Sequence, residues 1–276
     1  MILHPAGISA QTSGDIMEPA RPLVVTTTKP LAIIAKAALG EHAKIEFLQS
    51  AKQSGHDIVL SVGSLEKIHR AELVIVIGDQ MEPGIAKAIK GLPEGKFIKV
   101  LDLDLDFVEL KENQRGNHHS LDPHVWLNPH NANTIAREIQ GAFGFSQQDI
   151  ITEIQILAIE ENLASVIELS YISHHDMLGH FAKAFKVSKG RSLREANGAR
   201  KGAKSQYVLR KFAKENDAKC VFVEPQYGDK DAFVVASSLD LPLRTLDAQG
   251  ANQQLSETGY AEFIQTFTAQ FKACFT

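Results

Sequence analysis

Cysteine is scarce, with two residues in a chain of 276. That is too few for a disulfide scaffold or a Cys-rich zinc finger. Positive charge is not in excess: 29 Lys and Arg against 33 Asp and Glu give a formal net charge of -4, which excludes a nucleic-acid binder that works by bulk positive charge. No apolar run approaches the roughly 18 residues that a membrane span needs. Met1–Ala20 has neither a basic n-region nor a continuous apolar h-region, so it does not read as a secretory signal. A processed or misplaced start and a cytosolic chain with a disordered tail are the alternatives for that segment. No GxSxG element and no Cys/His nucleophile pairing is present. What is there is ordinary globular composition, 44% hydrophobic and 22% charged with 19 Gly and 10 Pro, enough for one large domain or two lobes of about 130 residues each.

From Pro22 onward, short apolar runs alternate with longer amphipathic stretches. The β-branched run Leu23–Thr27 predicts a strand, as do Lys44–Leu48, Leu73–Ile77 and Phe97–Leu101. Helices are expected at Pro30–Leu39, opened by proline and stopped by Gly40, and at Ser64–Ala71 and Glu82–Ile89. The second half repeats the grammar without a fixed sequence period. Strands are expected at Tyr171–Ser173, Cys220–Val223 and Leu243–Leu246, and helices at Ser205–Glu215, Asp231–Leu239 and Glu257–Lys272. Between the halves, Pro129–Phe143 and Gln147–Leu169 show helical periodicity. The glycine-containing basic stretch Lys183–Lys204 reads as a solvated loop, with an anion or partner contact as the alternative. Such βαβα patterning implies parallel sheets flanked by helices. The expected fold is therefore α/β with two lobes: residues 22–145, a long linking helix over 146–169, and residues 170–276. A single doubly wound domain is the alternative.

Ligands of open parallel sheets gather at the carboxyl ends of strands. His56 stands in the loop after the second strand, His124 after the fourth, His175 just beyond Tyr171–Ser173, and Asp247 directly after Leu243–Leu246. Two come from each half, so a cleft between lobes would gather them. Three imidazoles and a carboxylate suit Zn²⁺ better than Mg²⁺ or Ca²⁺. No HxH or HExxH pair is present, and each residue taken singly has a structural reading; Asp247 could equally serve a cap or turn.

The segments His56-Asp57, Ala71–Gly78, Asp122-Pro123-His124-Val125-Trp126-Leu127-Asn128-Pro129, His175-Asp176, Cys220–Gln226 and Thr245-Leu246-Asp247, in this order, resemble the periplasmic zinc-binding proteins of bacterial ABC importers, the ZnuA type. The resemblance runs from about Leu23 to Cys274. It implies two α/β lobes, one metal ion in the cleft, and His56, His124 and His175 as imidazole ligands. Asp247 would be a fourth ligand or a neighbouring acceptor, with water completing the shell. A histidine rather than a carboxylate at His175 favours zinc over manganese. His174 adjoins it, and His175 is preferred because the family motif reads His-Asp.

The resemblance further implies a Cys220–Cys274 disulfide, worth roughly 4 kcal/mol on the chain-entropy estimate, and an oxidising compartment, the periplasm. It implies an ABC permease as partner, a monomeric binding protein without enzymatic activity, and zinc delivery as the function. A manganese-binding relative and a mononuclear zinc hydrolase are the alternatives, the latter with Glu224 as base. Glu224 otherwise either supports a ligand imidazole or stabilises the Pro225-Gln226 turn. Trp126 is expected as core beneath the site, and His69, His130 and His180 as structural or exposed. The family's histidine-rich loop is reduced here to Asn117-His118-His119.

Overall fold

The structure is a computed structural model and describes residues 21–49, 60–79, 81–110, 120–228 and 230–276. Strands β1 (Leu23–Thr26), β2 (Lys44–Phe47), β3 (Leu73–Val76) and β4 (Phe97–Lys99) form one parallel sheet in the order β2-β1-β3-β4. A short antiparallel ribbon, β5 (Glu109–Leu110) and β6 (Ser120–Leu121), follows. Strands β7 (Ile172–His175), β8 (Arg191–Arg194), β9 (Val221–Val223) and β10 (Leu243–Thr245) form the second parallel sheet, in the order β10-β9-β7-β8. Read from the other edge, the two orders are the same. In each lobe the second strand is laid on one side of the first and the third on the other. Each lobe therefore has a switch point, between β1 and β3 and between β7 and β9, where the crossovers diverge and leave a crevice at the carboxyl ends.

Strand periodicity of two sorts the core. Val24, Leu73 and Ile75 face a cluster that spans both lobes, while Val25, Val74 and Val76 face an outer cluster with Ile68, Ile85 and Ile89. In the second sheet Phe222 joins the shared cluster, and Val221 and Val223 pack outward with Leu209 and Val235. Helix α1 (Lys29–Leu39) is apolar nearly all round, with Leu31, Ala32, Ile33, Ile34 and Ala35 all buried. It can be so because α4 (Pro129–Ala142) and α9 (Gly259–Lys272) both pack against it. The lobes thus share one hydrophobic core rather than meeting only through a linker.

The helical stretch expected over 146–169 is shorter than its periodicity suggests. Helix α5 runs Glu153–Leu163, opened by a Thr152/Gln155 capping box. Residues before it form a loop because α4 side chains satisfy its backbone. Asn133 Oδ1 accepts from Ile150 N and Ile151 N, its Nδ2 donates to Ile151 O, and Gln140 Oε1 accepts from Gln148 N. The Lys183–Lys204 stretch is not a solvated loop throughout. Strand β8 lies inside it with Ser192 and Leu193 buried. Arg194 and Lys201 are engaged within the lobe, with Asp231 and Ser192, while Lys183 reaches Asp106 of the first lobe and Lys186 reaches Glu160 of the connecting segment. Helix α6 (Gly179–Phe185) contains the first three residues of the stretch, and α2 (Val62–Arg70), α3 (Pro83–Ile89), α7 (Ala203–Glu215) and α8 (Lys230–Leu239) flank the sheets.

Beyond β3, the buried Glu82 caps the strand end, its Oε2 accepting from Ile77 N at 2.7 Å and Gly78 N at 3.3 Å. Burial raises its pKa to about 7. The native state therefore holds a proton that the unfolded chain releases nearer 4.5. Stability from this group is full below the unfolded value and declines as pH rises through about 7. Glu82→Gln is expected to be more stable than the parent at about pH 8, on the order of 3 kcal/mol, with the gap closing near pH 4.5. Urea unfolding at the two pH values reads it; a gap independent of pH would mean the carboxyl is not held protonated.

Candidate metal centre

His124 is placed by a compact chain of turns. The β5–β6 ribbon brings Asp122 N onto Val108 O at 2.8 Å, and His124 then enters a 3₁₀ turn over Val125–Leu127. Asn128 caps α4 by accepting from His130 N, with Pro129 in the first turn. Asp122 is fully buried, and its Oδ1 accepts from both His124 N at 3.0 Å and His124 Nδ1 at 2.7 Å. Its surroundings are shaped to hold it. A Cβ at Gly179 would lie 2.4 Å from Asp122 Oδ2, so α6 must open on glycine there. His180 Nε2 donates to Asp122 O at 2.9 Å while its Nδ1 accepts from Asn131 Nδ2. His180 is thus structural and buried; His69 and His130 are exposed.

His175 is the last residue of β7, at the switch point of the second sheet. Glu224 follows β9 directly, and its Oε1 meets His175 Nδ1. Both residues are 2% exposed. Adjacent strand residues point to opposite sides, so His174 turns away. Its Nε2 accepts from Arg194 Nε at 3.3 Å, and its pKa is lowered to about 4, chiefly by burial. Tyr227 lies against both rings, its centroid 4.9 Å from His174 and 5.4 Å from His175.

The two carboxylates fix the tautomers of His124 and His175: each Nδ1–H points at an oxygen, leaving Nε2 with its lone pair. Those two Nε2 atoms face each other at 3.0 Å. Two nitrogens bound to one tetrahedral ion at zinc–nitrogen distances stand about 3.3 Å apart. The pair is therefore already convergent on a common point. Burial holds His124 well below the ordinary imidazole range, with His175 and His180 adding repulsion, so the ring stays neutral and able to ligate. Trp126 is wholly buried, edge-on to His124 at 5.3 Å between centroids, and donates from Nε1 to Ala248 O at 2.9 Å.

Asp247 lies just beyond β10, and its carboxylate is held by backbone and side-chain donors. Its Oδ1 accepts from Gln249 N at 3.1 Å and Gln226 Nε2 at 3.2 Å, and its Oδ2 from Ala251 N at 2.6 Å. Among the described residues no group of three or more His, Cys, Asp or Glu is arranged to hold an ion. His56 lies outside the described residues, as do His118 and His119. Sequence reasoning gave no role to Asp122, Gly179 or Tyr227. The one available signal was the acidic residue two positions before His124.

The chain matches the family described as "Zinc-uptake complex component A periplasmic" over residues 24–150 and 151–274. It is 26% identical to the high-affinity zinc uptake system protein ZnuA of Haemophilus ducreyi, over 92% of this chain and 93% of that protein. It is 25% identical to the protein of the same description from Yersinia pestis, over 91% and 90%. Its fold superposes on a crystal structure of ZnuA with a TM-score of 0.75 at 17% identity, over 93% of this chain and all of the other. With the periplasmic zinc binding protein TroA from Treponema pallidum the TM-score is also 0.75, at 16% identity, over 92% and 99%.

Proposed function

This chain belongs to the periplasmic zinc-uptake complex component A family, and from that membership we propose that it captures Zn²⁺ in the cleft and delivers it to an ABC permease. The supporting observation is the pair of Nε2 atoms at 3.0 Å, each ring backed by a buried carboxylate on Nδ1. His124 and His175 are two imidazole ligands in this reading and His56 is the third, with Asp247 as a fourth ligand or neighbouring acceptor and water completing the shell. The protein works outside the cytoplasm, in the periplasm, as a monomer. Its units are residues 22–145 and 170–276, joined through 146–169. Neutral nitrogen ligands favour zinc over manganese.

The family is one of solute-binding transport proteins rather than enzymes. A zinc hydrolase would need a base free to act on bound water, and Glu224, the nominated base, is spent on His175 Nδ1. Glu224→Gln keeps an acceptor for that N–H but loses its charge. It is expected to weaken zinc binding by roughly 10-fold, within the range for such outer partners. The test is calorimetric titration of chelator-stripped protein with Zn²⁺ and, separately, Mn²⁺. One-to-one binding with zinc preferred supports the reading. Absent zinc binding, or a preference for manganese, overturns it.

A further inference from the structure

The second lobe carries the chain's charge asymmetry. Residues 186–219 hold eleven Lys and Arg against three Asp and Glu, in a chain whose net charge is -4. On α7, Lys204, Tyr207 and Lys211 fall on one stripe at spacings of three and four, and all are exposed, Tyr207 at 70%. Val208 beside them is exposed too, as are Val234 and Phe233 on α8, the last at 59%. The two helices turn Leu209, Ala213, Val235 and Ala236 inward onto the sheet, so these outward apolar side chains add nothing to the lobe's own core. Arg210, one turn on from Tyr207, donates to Ser238, one turn on from Val234. Tyr207 and Val234 therefore flank the seam between α7 and α8.

The cations around this apolar patch are only weakly neutralised. Among the described residues Lys204 and Lys214 pair with no carboxylate. Lys211 meets Glu215 at 3.5 Å and Arg200 meets Asp231 at 3.2 Å, exposed pairs of the kind that hold charge weakly. Both helices follow parallel strands, β8 and β9, so they begin at the carboxyl edge of the sheet, where His175 and Glu224 stand. Tyr207, Phe233 and Val234 lie within the first two turns of their helices, near that edge.

We propose that the α7–α8 face binds an anionic lipid surface, with Tyr207, Val208, Phe233 and Val234 at headgroup depth and Lys204, Lys211 and Arg200 against the phosphates. Exposed apolar side chains set among cations are what such a surface selects. An acidic protein would need carboxylates matched to these positions, whereas an anionic bilayer offers negative charge everywhere and an apolar layer just beneath it. Each cation near such a surface is worth about fivefold in affinity. Docked in this way, the protein holds the ion-binding edge of its second lobe close to the membrane.

The test is co-sedimentation of the full, chelator-stripped chain with vesicles of phosphatidylcholine, alone or with about 40% phosphatidylglycerol, at low and high NaCl. Because no metal is present, the result does not depend on the zinc reading. Expected is at least tenfold stronger binding to the anionic vesicles, lost at high salt. Lys204→Glu/Lys211→Glu and Phe233→Ser/Val234→Ser should each weaken it about tenfold or more, while Arg70→Glu/Lys90→Glu, the same charge change on the first lobe, should not. Far-UV circular dichroism reports folding, and Tyr207→Ser replaces the double serine variant should that fail to fold. Equal binding to neutral and anionic vesicles, or no binding to either, overturns the inference. So does parental binding in either the charge or the serine variant. Sedimentation velocity without vesicles completes the test: a dimer that the serine variant dissociates would assign the face to a second copy of the chain and overturn the lipid assignment.

Discussion

Zinc affinity should fall by about a thousandfold or more when either His124 or His175 is replaced by alanine, each tenfold corresponding to about 1.4 kcal/mol. Each substitution removes one of two nitrogens already converged on a common point. The two variants should differ in stability. His175→Ala leaves the Glu224 carboxylate 2% exposed and stripped of its imidazole. Removing one partner of a buried pair costs roughly 3–5 kcal/mol. Adding Glu224→Gln should restore much of that stability without restoring zinc binding. That double variant separates loss of a ligand from loss of the fold. Thermal unfolding without metal and zinc competition with metal are the two readouts; zinc affinity unchanged in His175→Ala would remove His175 from the shell. Acidification should weaken binding in the parent, because protons compete for the same Nε2 lone pairs. Burial of His124 moves its share of that competition below the ordinary imidazole range.

The sheets were legible because their central strands are short, β-branched and bounded by turn residues. Leu23–Thr26 and Leu73–Val76 carry nothing that reads as helix. Strand β8 was not, since Arg191-Ser192-Leu193-Arg194 has one apolar residue and lies at the sheet's edge, where pairing with β7 rather than composition decides. Helix α6 opens on a glycine whose reason, the Asp122 carboxylate, is distant in sequence and adjacent in space. Periodicity also overstated the helix before Leu163, because nothing in the loop's own sequence announces that Asn133 and Gln140 supply its hydrogen bonds. At the metal centre, strand ends drew attention to His175 and Glu224, and the chain's return to the switch point brings them into contact. Asp122 went without a role. Its contact with His124 Nδ1 depends on the local backbone path into the 3₁₀ turn over Val125–Leu127, which spacing alone does not announce.

Breaking the Cys220–Cys274 disulfide should cost the protein about 4 kcal/mol of stability while leaving zinc affinity nearly unchanged. The bond closes a span of 54 residues, and the chain-entropy estimate for a loop of that length is about 4 kcal/mol. For a chain of this size that corresponds to a drop in Tm of roughly 8–12 °C. Its position explains why function should be spared. Cys220 immediately precedes β9 and Cys274 follows α9, so the bond ties the amino-terminal end of the strand to the last turn of the helix. Glu224 and His175 stand at the opposite, carboxyl ends of β9 and β7, about 13 Å away at the rise of an extended chain. Around the bond, Tyr171, Phe222, Phe271 and Phe275 pack ring against ring. That cluster keeps the two segments together when the covalent link is gone, so the loss should appear as easier global unfolding rather than a displaced strand. Urea unfolding of the parent with and without reductant, and of Cys220→Ala/Cys274→Ala, gives the stability; zinc competition on the same samples gives the affinity. A reduced protein as stable as the oxidised one would show that the closed loop places no net constraint on the unfolded chain. A collapse of zinc binding on reduction would show instead that the bond, from the far end of the sheet, holds β9 and Glu224 in register with His175.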